Sequence, residues 1–158
     1  MAQILNKSII DFVKTGQDAI CLESSFVVKK GFCRIEQPQN YDSMIYRVFG
    51  RDIDCVAGLQ IRSGLSTGRV VVMGYKYGKF ILGLMPTRPD SGDNPCSVKH
   101  GLEKTLTELV SMVDKARWRR IVVPMLNWID RESMTPDDMI HVYSKILDDR
   151  FVIANPSR

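Results

Sequence analysis

Residues 122–131, VVPMLNWIDR, join an apolar stretch to a polar turn that carries a single carboxylate, Asp130. A carboxylate in such a turn either contacts a ligand or caps a nearby helix, and the residues alone favour neither role. Trp128 precedes Asp130 by two positions, and its ring either covers the loop or stacks on a nucleobase. Covering the loop is the role that we favour for this ring.

A second candidate for anion binding is the run Lys29, Lys30 and Gly31. Glycine lets a backbone amide approach a phosphate closely, and two neighbouring ammonium groups attract the same charge. The alternative is a solvated turn without a ligand. Both interpretations place the run in an irregular loop over residues 23–37, whose FCRIEQPQ stretch has no clean period.

The sequence lacks the short motifs of several common catalytic mechanisms. It contains no P-loop, no G-x-G-x-x-G, no G-x-S-x-G and no H-E-x-x-H. His100 and His141 fall inside expected helices without a visible partner, so surface positions are favoured over general-base roles. We predict no metal site and no bound cofactor.

The four cysteines are scattered and form no C-x-x-C pair, which argues against a metal centre and for reduced thiols. They are Cys21, Cys33, Cys55 and Cys96. No apolar run is long enough to cross a bilayer, and the first residues do not resemble a signal peptide. We therefore expect an intracellular protein, cytoplasmic or nuclear, with no membrane partner.

Length and composition indicate one domain over residues 1–158, with 44% apolar and 25% charged residues. The net charge of +4 weakly favours anionic partners. Three arginines, at positions 117, 119 and 120, surround Trp118. For this cluster we favour a solvated helix end over a nucleic-acid patch, because cations complement the negative end of a helix dipole.

Hydrophobic periodicity predicts the elements that position these residues. Residues 4–13 and 18–22 form either two strands or a strand preceded by an irregular segment. Apolar residues between Tyr41 and Phe49 repeat at helical spacing, and Gly50 follows where a left-handed stop is expected. A short amphipathic helix is therefore predicted there.

The middle of the chain predicts a hairpin, a loop and a long helix. Two apolar runs flank residues 74–79, where Gly78 can adopt the positive φ that such a turn often needs. Residues 86–95, PTRPDSGDNP, form a loop. Ser97 can cap a helix that ends near Ala116. Its apolar stripe consists of Val98, Leu102, Leu106, Leu109 and Val113.

The last part of the chain predicts a strand, a helix and a strand. Residues 120–126 form a buried strand in which Pro124 marks an end, an edge or a distortion. Thr135 caps the next helix, with Pro136 at its first position, and residues 151–154 form a final strand. The whole order predicts an α/β fold, a three-layer domain with a central mixed sheet flanked by helices.

Ligands of open α/β sheets bind beyond the carboxyl ends of the strands. Three segments fit that position in the predicted fold: residues 23–37, 87–97 and 127–135. These three segments are the candidates for a ligand site.

These elements and several stretches of sequence resemble a macrodomain, most closely the branch that contains the terminal ADP-ribose protein glycohydrolases. The resemblance rests on GRVVVM, GKFILGLMPTRP and PMLNWIDR, with the long helix between the last two stretches. Towards the amino terminus, DAICLESS is similar to the strand that enters the ligand loop, and YDSMIYRVFG to the following helix. The resemblance implies a macro-like domain that binds ADP-ribose or a related nucleotide.

The chain departs from that branch at two functional positions. The turn at residues 126–130 has no glycine, whereas macrodomains hold the diphosphate with glycine-rich backbone, and Trp128 stands where a phosphate needs space. Asp130 matches the catalytic aspartate of the branch, but the position of its nucleophilic lysine falls on Thr87 or Arg88. A guanidinium stays protonated and cannot form the covalent adduct, so we expect a hydrolase activity that is weak at most.

The resemblance implies a catalytic role for Asp130 only if any turnover occurs. It also implies a set of nucleotide contacts, which are Glu23, Ser24, Gly31, Phe32, Thr87, Arg88, Ser91, Asn127 and Trp128. The alternative is a macro-like module without a nucleotide pocket that binds protein or RNA through its basic surface. The missing glycines favour the alternative, and the retained order of loops with Asp130 favours the nucleotide.

Overall fold

The described residues form a six-stranded mixed sheet with helices against it. The computed structural model describes residues 2–23, 25–29, 32–36, 47–50, 53, 69–85, 95–126 and 134–156. Its regular elements are β1 (Gln3–Leu5), a 3-10 helix (Ile9–Phe12), β2 (Ala19–Glu23), β3 (Ser25–Lys29), β4 (Phe32–Glu36), β5 (Arg69–Lys76), β6 (Lys79–Met85), α1 (Pro95–Ala116), β7 (Ile121–Pro124), α2 (Pro136–Ile146) and β8 (Phe151–Ala154).

The strand order across the sheet is β1-β8-β7-β2-β6-β5. All neighbours pair in parallel except β5 and β6, which form an antiparallel hairpin. The remaining two strands, β3 and β4, pair with each other as a separate antiparallel hairpin. The predicted α/β fold with a central mixed sheet is therefore confirmed.

Apolar side chains cover both faces of the sheet, as strand alternation requires. On β2, Ala19 and Cys21 pack with the buried faces of α1 and α2. The intervening Ile20 and Leu22 pack with the 3-10 helix and with Phe49 on the other side. All five residues of β2 are buried, so this strand lies at the centre of the layered core.

Four residues of the predicted stripe of α1, Leu102, Leu106, Leu109 and Val113, are buried, and the helix ends at Ala116. Its start is two residues earlier than the predicted cap at Ser97, because proline fits the first position of a helix and Pro95 occupies it. At the other end, Arg117 adopts a left-handed φ of 59°. The Trp118 N–H donates to the Val113 carbonyl at 3.2 Å, a pattern that closes the final turn.

The start of α2 also agrees with the sequence. Thr135 is the N-cap, Pro136 follows at the first position, and the Thr135 hydroxyl accepts from the Asp138 N–H at 3.2 Å. Asp138 in turn accepts from the Thr135 N–H, and these hydrogen bonds hold the pKa of Asp138 below its usual value. The helix start is therefore fixed by a reciprocal pair of hydrogen bonds.

The β5–β6 hairpin was correctly predicted, including Gly78, whose φ is 74°. The other turn residue, Tyr77, also has a positive φ of 56°, which is unfavourable for a residue with a side chain. Its ring packs edge-on against Phe49 at 6.2 Å between centroids, and its hydroxyl donates to the Val48 carbonyl. These contacts offset the strained turn and attach helical residues 47–49 to the hairpin.

Two predictions for the first part of the chain are wrong. The irregular loop over residues 23–37 instead contains β3 and β4, with Lys29 opposite Phe32 and only Lys30 and Gly31 between them. A two-residue connection ending in glycine is a hairpin signal that the search for regular periods missed. Of the two alternatives for residues 4–13, a strand throughout is wrong: β1 ends at Leu5, and residues 9–12 form a 3-10 helix capped by Ser8, which is closer to the irregular segment.

Other predictions lie partly or wholly outside the described residues. The loop at residues 86–94 and the first part of the helix predicted from Tyr41 are among them. Residues 47–49 of that helix are described and helical, and Gly50 has the expected positive φ of 81°.

Asp18 joins the starts of three central strands. Its carboxylate accepts from the N–H groups of Arg119 and Arg120, at 2.8 and 3.1 Å, just before β7 begins. The Asp18 N–H donates to the Arg120 carbonyl at 2.8 Å, and the Asp18 carbonyl accepts from Phe80 at the start of β6 at 3.0 Å. One residue thus fixes β7 and β6 on either side of β2.

We expect Asp18→Ala to lower the free energy of unfolding by about 1.5–3 kcal/mol, the usual range for hydrogen bonds to a charged group. Asp18→Asn keeps one oxygen acceptor but loses the charge, so the decrease in the free energy of unfolding should be smaller than for Asp18→Ala. Urea denaturation of the original protein and the two variants measures the order of their stabilities. Equal stability of the alanine variant and the original protein would contradict this role.

A second ionic cluster connects the end of α1 to the start of β8. The Arg150 guanidinium donates to Asp148 at 2.7 Å and to Asp114 at 2.7 Å. The hydrogen bonds from Arg150 hold the pKa of Asp148 below its usual value, although burial acts in the opposite direction. The contribution to stability is modest, because 44% of the Asp148 side chain is exposed to solvent.

This cluster should give a pH-dependent stability. The unfolded pKa of aspartate is about 3.9. Because the folded pKa of Asp148 is lower, its stabilisation is present above that pH and disappears as the pH falls through the folded value. Asp148→Asn should therefore lower the melting temperature at pH 7, with a difference that shrinks below about pH 4. The control is Asp149→Asn at the exposed neighbouring position, and the same pH profile in both variants would contradict the assignment.

Candidate functional site

The three predicted ligand segments leave neighbouring strands at one edge of the sheet. β7, β2 and β6 are adjacent and parallel, with Ile20 opposite Val122 and Glu23 opposite Leu84. Their carboxyl ends therefore point the same way. β2 ends at Glu23, β6 ends at Met85 and β7 ends at Pro124. Each predicted segment therefore starts within three residues of this carboxyl edge.

Glu23 is the last residue of β2 and the one predicted contact whose side chain is described. It is only 3% exposed, and it lies at the end of the middle strand of the three. It also interacts with neighbouring groups of the protein. Carboxylate oxygens at an edge where three chain segments depart can accept hydrogen bonds but offer no donor to an anion. The hydroxyl or amine groups of a ligand suit this position better than its phosphates.

The end of β7 is held by contacts from two other elements. The Tyr143 hydroxyl, on α2, donates to the Pro124 carbonyl at 2.8 Å, and Tyr143 is fully buried. The Met125 N–H donates to the Ala154 carbonyl at 3.1 Å. Pro124 is thus the last strand residue, one of the three alternatives that the sequence left open, and β7 is shorter than the predicted strand over residues 120–126, although Leu126 remains buried beyond it. The chain enters residues 127–133 from a rigid point.

Most of the predicted contacts lie outside the described residues, so their roles stay predictions. They are Ser24, Gly31, Thr87, Arg88, Ser91, Asn127, Trp128 and Asp130. Phe32 is described only through its backbone, as the first residue of β4. The strands that precede these segments end at one edge of the sheet, and β3 and β4 replace the loop that was expected around Gly31.

Cys21 lies in β2 as a free and fully buried thiol. Burial raises the pKa of this thiol far above its ordinary value, so it is a packing residue rather than a nucleophile. Within the described ranges, no group of three or more His, Cys, Asp or Glu side chains could hold a metal ion. None of the described helices is long and apolar enough to cross a membrane.

The opposite edge of the sheet carries an open groove of about 480 Å³. It lies between the last turns of α1 and the strands β5 and β6, near their connecting turn. Its lining residues are Val72, Phe80, Glu108, Ser111, Met112, Lys115, Ala116 and Trp118. Trp118 was noted in the sequence because three arginines surround it. No sequence pattern indicated that Phe80 lies beside it.

Comparison with known proteins identifies the class of fold. No protein-family model matches the sequence, and no curated protein matches it. Among solved structures, the macrodomain of Thermus aquaticus DarG has a TM-score of 0.60 at 16% identity, with 99% of each chain covered. The macrodomain of Mycobacterium tuberculosis DarG has a TM-score of 0.57 at 17% identity, with 99% of this chain and 100% of that one covered.

A structure titled alphavirus P23pro-zbd has a TM-score of 0.68 at 10% identity. The match covers 99% of this chain but only 22% of the alphavirus chain. This chain therefore has a divergent macrodomain-like fold, as the resemblance in sequence predicted.

The Tyr143 contact gives a stability prediction. Tyr143→Phe removes the donor to the Pro124 carbonyl and leaves a buried acceptor unpaired, which costs about 1–3 kcal/mol. Tyr75→Phe makes the same chemical change at a largely exposed tyrosine, where we expect less than about 0.5 kcal/mol. Chemical denaturation compares the two variants. Equal losses would show that the hydroxyl does not hold the end of β7.

Proposed function

We propose that the protein is a divergent macro-like module that recognises ADP-ribose or a related nucleotide, with weak or no hydrolase activity. The observation that carries the proposal is the departure of three chain segments from the carboxyl ends of adjacent parallel strands. The structural similarity to two DarG macrodomains over nearly their whole length supports it.

The spacing of the strands suits a ligand of this size. Neighbouring strands lie about 4.8 Å apart, so the ends of β7, β2 and β6 span about 10 Å. A nucleotide with two sugars is long enough to touch the segments that follow all three strands. The ligand would lie across the sheet edge rather than enter a deep cavity.

The charges favour one orientation of the ligand. Glu23, buried at the end of β2, would accept hydrogen bonds from ribose hydroxyls or an exocyclic amine and would offer no donor to a diphosphate. The diphosphate would then lie away from Glu23, near backbone amides or the lysines that precede Gly31. Asp130 would contribute a further acceptor from the segment after β7.

Hydrolysis is expected to be weak or absent for a chemical reason. The proposal follows the sequence comparison, in which Thr87 or Arg88 stands where the related enzymes have a nucleophilic lysine. A threonine hydroxyl has a high pKa and a guanidinium stays protonated, so neither forms the adduct readily. Binding without turnover is the resulting activity.

The first test is a calorimetric titration of the protein with ADP-ribose, with AMP as the control ligand. We expect saturable binding that prefers ADP-ribose, because AMP reaches fewer of the three segments. Asp130→Ala and Glu23→Gln should each weaken binding about tenfold, which corresponds to the loss of one hydrogen bond to a charged group. Asp149→Ala is the matched control, because this exposed carboxylate precedes β8 at the other edge of the sheet.

Circular dichroism of each variant separates lost binding from lost folding. No heat at millimolar ADP-ribose with a folded protein would overturn the proposal. Unchanged affinity of a folded Asp130→Ala or Glu23→Gln variant would remove that residue from the site.

A further inference from the structure

The groove at the amino-terminal edge of β6 is lined by aromatic rings from distant parts of the chain. Tyr75 and Phe80 are opposite each other in the β5–β6 hairpin, and their ring centroids are 4.9 Å apart at an interplanar angle of 67°. Phe80 and Trp118 are 5.0 Å apart at 33°. The three rings therefore form one continuous aromatic cluster.

This aromatic cluster, Tyr75, Phe80 and Trp118, is accessible from solvent. Tyr75 is 62% exposed, and the other two rings are half-buried. The groove beside Phe80 and Trp118 is further lined by the half-buried apolar side chain of Met112. Planar rings at the wall of an open groove provide surfaces on which nucleobases stack.

Cations surround the aromatic cluster. Lys115 lines the groove, and Arg117 and Arg119 are exposed on either side of Trp118. Glu108 is the one acidic side chain in the described lining. The rim therefore carries more positive than negative charge, which complements a polyanion.

Two nearby carboxylates are directed to partners outside the groove, and Asp18 keeps its negative charge there. Asp114 binds Arg150 at 2.7 Å, and Asp18 accepts backbone hydrogen bonds before β7. Lys79, in contrast, does not belong to the rim. It is buried, and its ammonium group donates to the Tyr77 carbonyl at 3.1 Å.

The end of α1 does not require the side chains of this rim as caps. The N–H groups of Arg117 and Trp118 donate to the carbonyls of Asp114 and Val113, which closes the helix with backbone groups. The cationic side chains after Ala116 can therefore face a ligand. They also offset the negative end of the helix dipole, which would otherwise oppose a phosphate at this position.

We infer that the aromatic cluster and its cationic rim bind single-stranded nucleic acid, a second site at the sheet edge opposite the proposed nucleotide site. Bases would stack on Trp118 and Tyr75, and Lys115, Arg117 and Arg119 would contact phosphates. The combination of stacking surfaces with a positive groove is the arrangement by which proteins hold single strands without reading their sequence. An acidic peptide would use the charges but not the flat rings.

The fluorescence of Trp118 provides a local readout. The chain has two tryptophans, so the signal that is lost in Trp118→Phe isolates the contribution of Trp118 and leaves Trp128 intact. The probe is a ten-nucleotide uridine oligomer, which lacks adenine and so does not imitate ADP-ribose. We expect saturable quenching of Trp118 at low ionic strength, with an affinity that falls steeply as salt is added.

Two pairs of variants separate a specific site from general attraction. Lys115→Glu should weaken binding about tenfold and reduce the salt slope by about 0.7 for the lost phosphate contact on a single strand. Lys145→Glu, at the equivalent last turn of α2, makes the same charge change and should have a clearly smaller effect. Tyr75→Ala should weaken binding about tenfold, whereas Tyr75→Phe should retain it because the ring remains.

The result that overturns the inference is absence of quenching at low salt by a folded protein. Equal effects of Lys115→Glu and Lys145→Glu would also overturn it, because they would indicate unspecific attraction. A glutamate oligopeptide that quenches Trp118 as strongly as the uridine oligomer would assign the groove to an acidic protein instead. Retained binding in the Tyr75→Ala variant would exclude stacking on that ring.

This experiment also distinguishes the inference from the proposed function. ADP-ribose should neither quench Trp118 nor displace the uridine oligomer if the two sites lie at opposite edges. Competition between the two ligands would place them in one site and overturn the second-site inference. Failure of ADP-ribose to bind would leave the result with the uridine oligomer unaffected.

Discussion

The hydrogen bonds of Asp18 are the constraint on which the central sheet depends. The side chain and backbone of Asp18 connect the start of β2 to the starts of two other strands. The start of β7 is more than 100 residues away in sequence, and the start of β6 is about 60 residues away. Because the side chains of a strand alternate, a shift of one residue would turn every buried side chain of β2 towards the wrong face. Asp18 therefore fixes both the core and the alignment of the strand ends.

The amino-terminal and carboxyl edges of the sheet differ in the chain connections that they carry. At the amino-terminal edge, tight turns and helix ends bring Tyr75, Phe80 and Trp118 together on short and well-connected segments. At the carboxyl edge, the parallel strands must be followed by long connections, because the chain has to return to the other end of the sheet before it enters the next parallel strand. Loop residues there can change while the aligned strand ends remain. This explains how a macrodomain-like fold persists at 10–17% identity to its structural neighbours.

Local signals predicted most of the fold, and contacts between distant residues account for what was missed. The β5–β6 hairpin, the capping of α2 and the left-handed stop at Gly50 each depend on residues close in sequence, and all three were correct. The β3–β4 hairpin was missed because its strands have no regular alternation and its two-residue turn was read as an anion loop. For the candidate site, the sequence predicted which segments reach the carboxyl edge. It could not predict that the carboxylate of Glu23 is buried there, because burial depends on neighbouring strands.

The sequence of residues 126–130 bears on how the proposed site would bind a diphosphate. It contains no glycine, and a Cβ atom on each residue hinders close approach of a backbone amide to an anion. The buried Glu23 at the neighbouring strand end is also unfavourable for phosphate, since carboxylate oxygens accept hydrogen bonds and offer no donor to a phosphate oxygen. On the proposed function, most of the affinity would therefore come from the sugars and the base, with the diphosphate held by cations or amides of other segments. A macro-like module of this kind would discriminate between ligands mainly by their hydroxyl and amine groups, which the aligned strand ends can address with fixed acceptors.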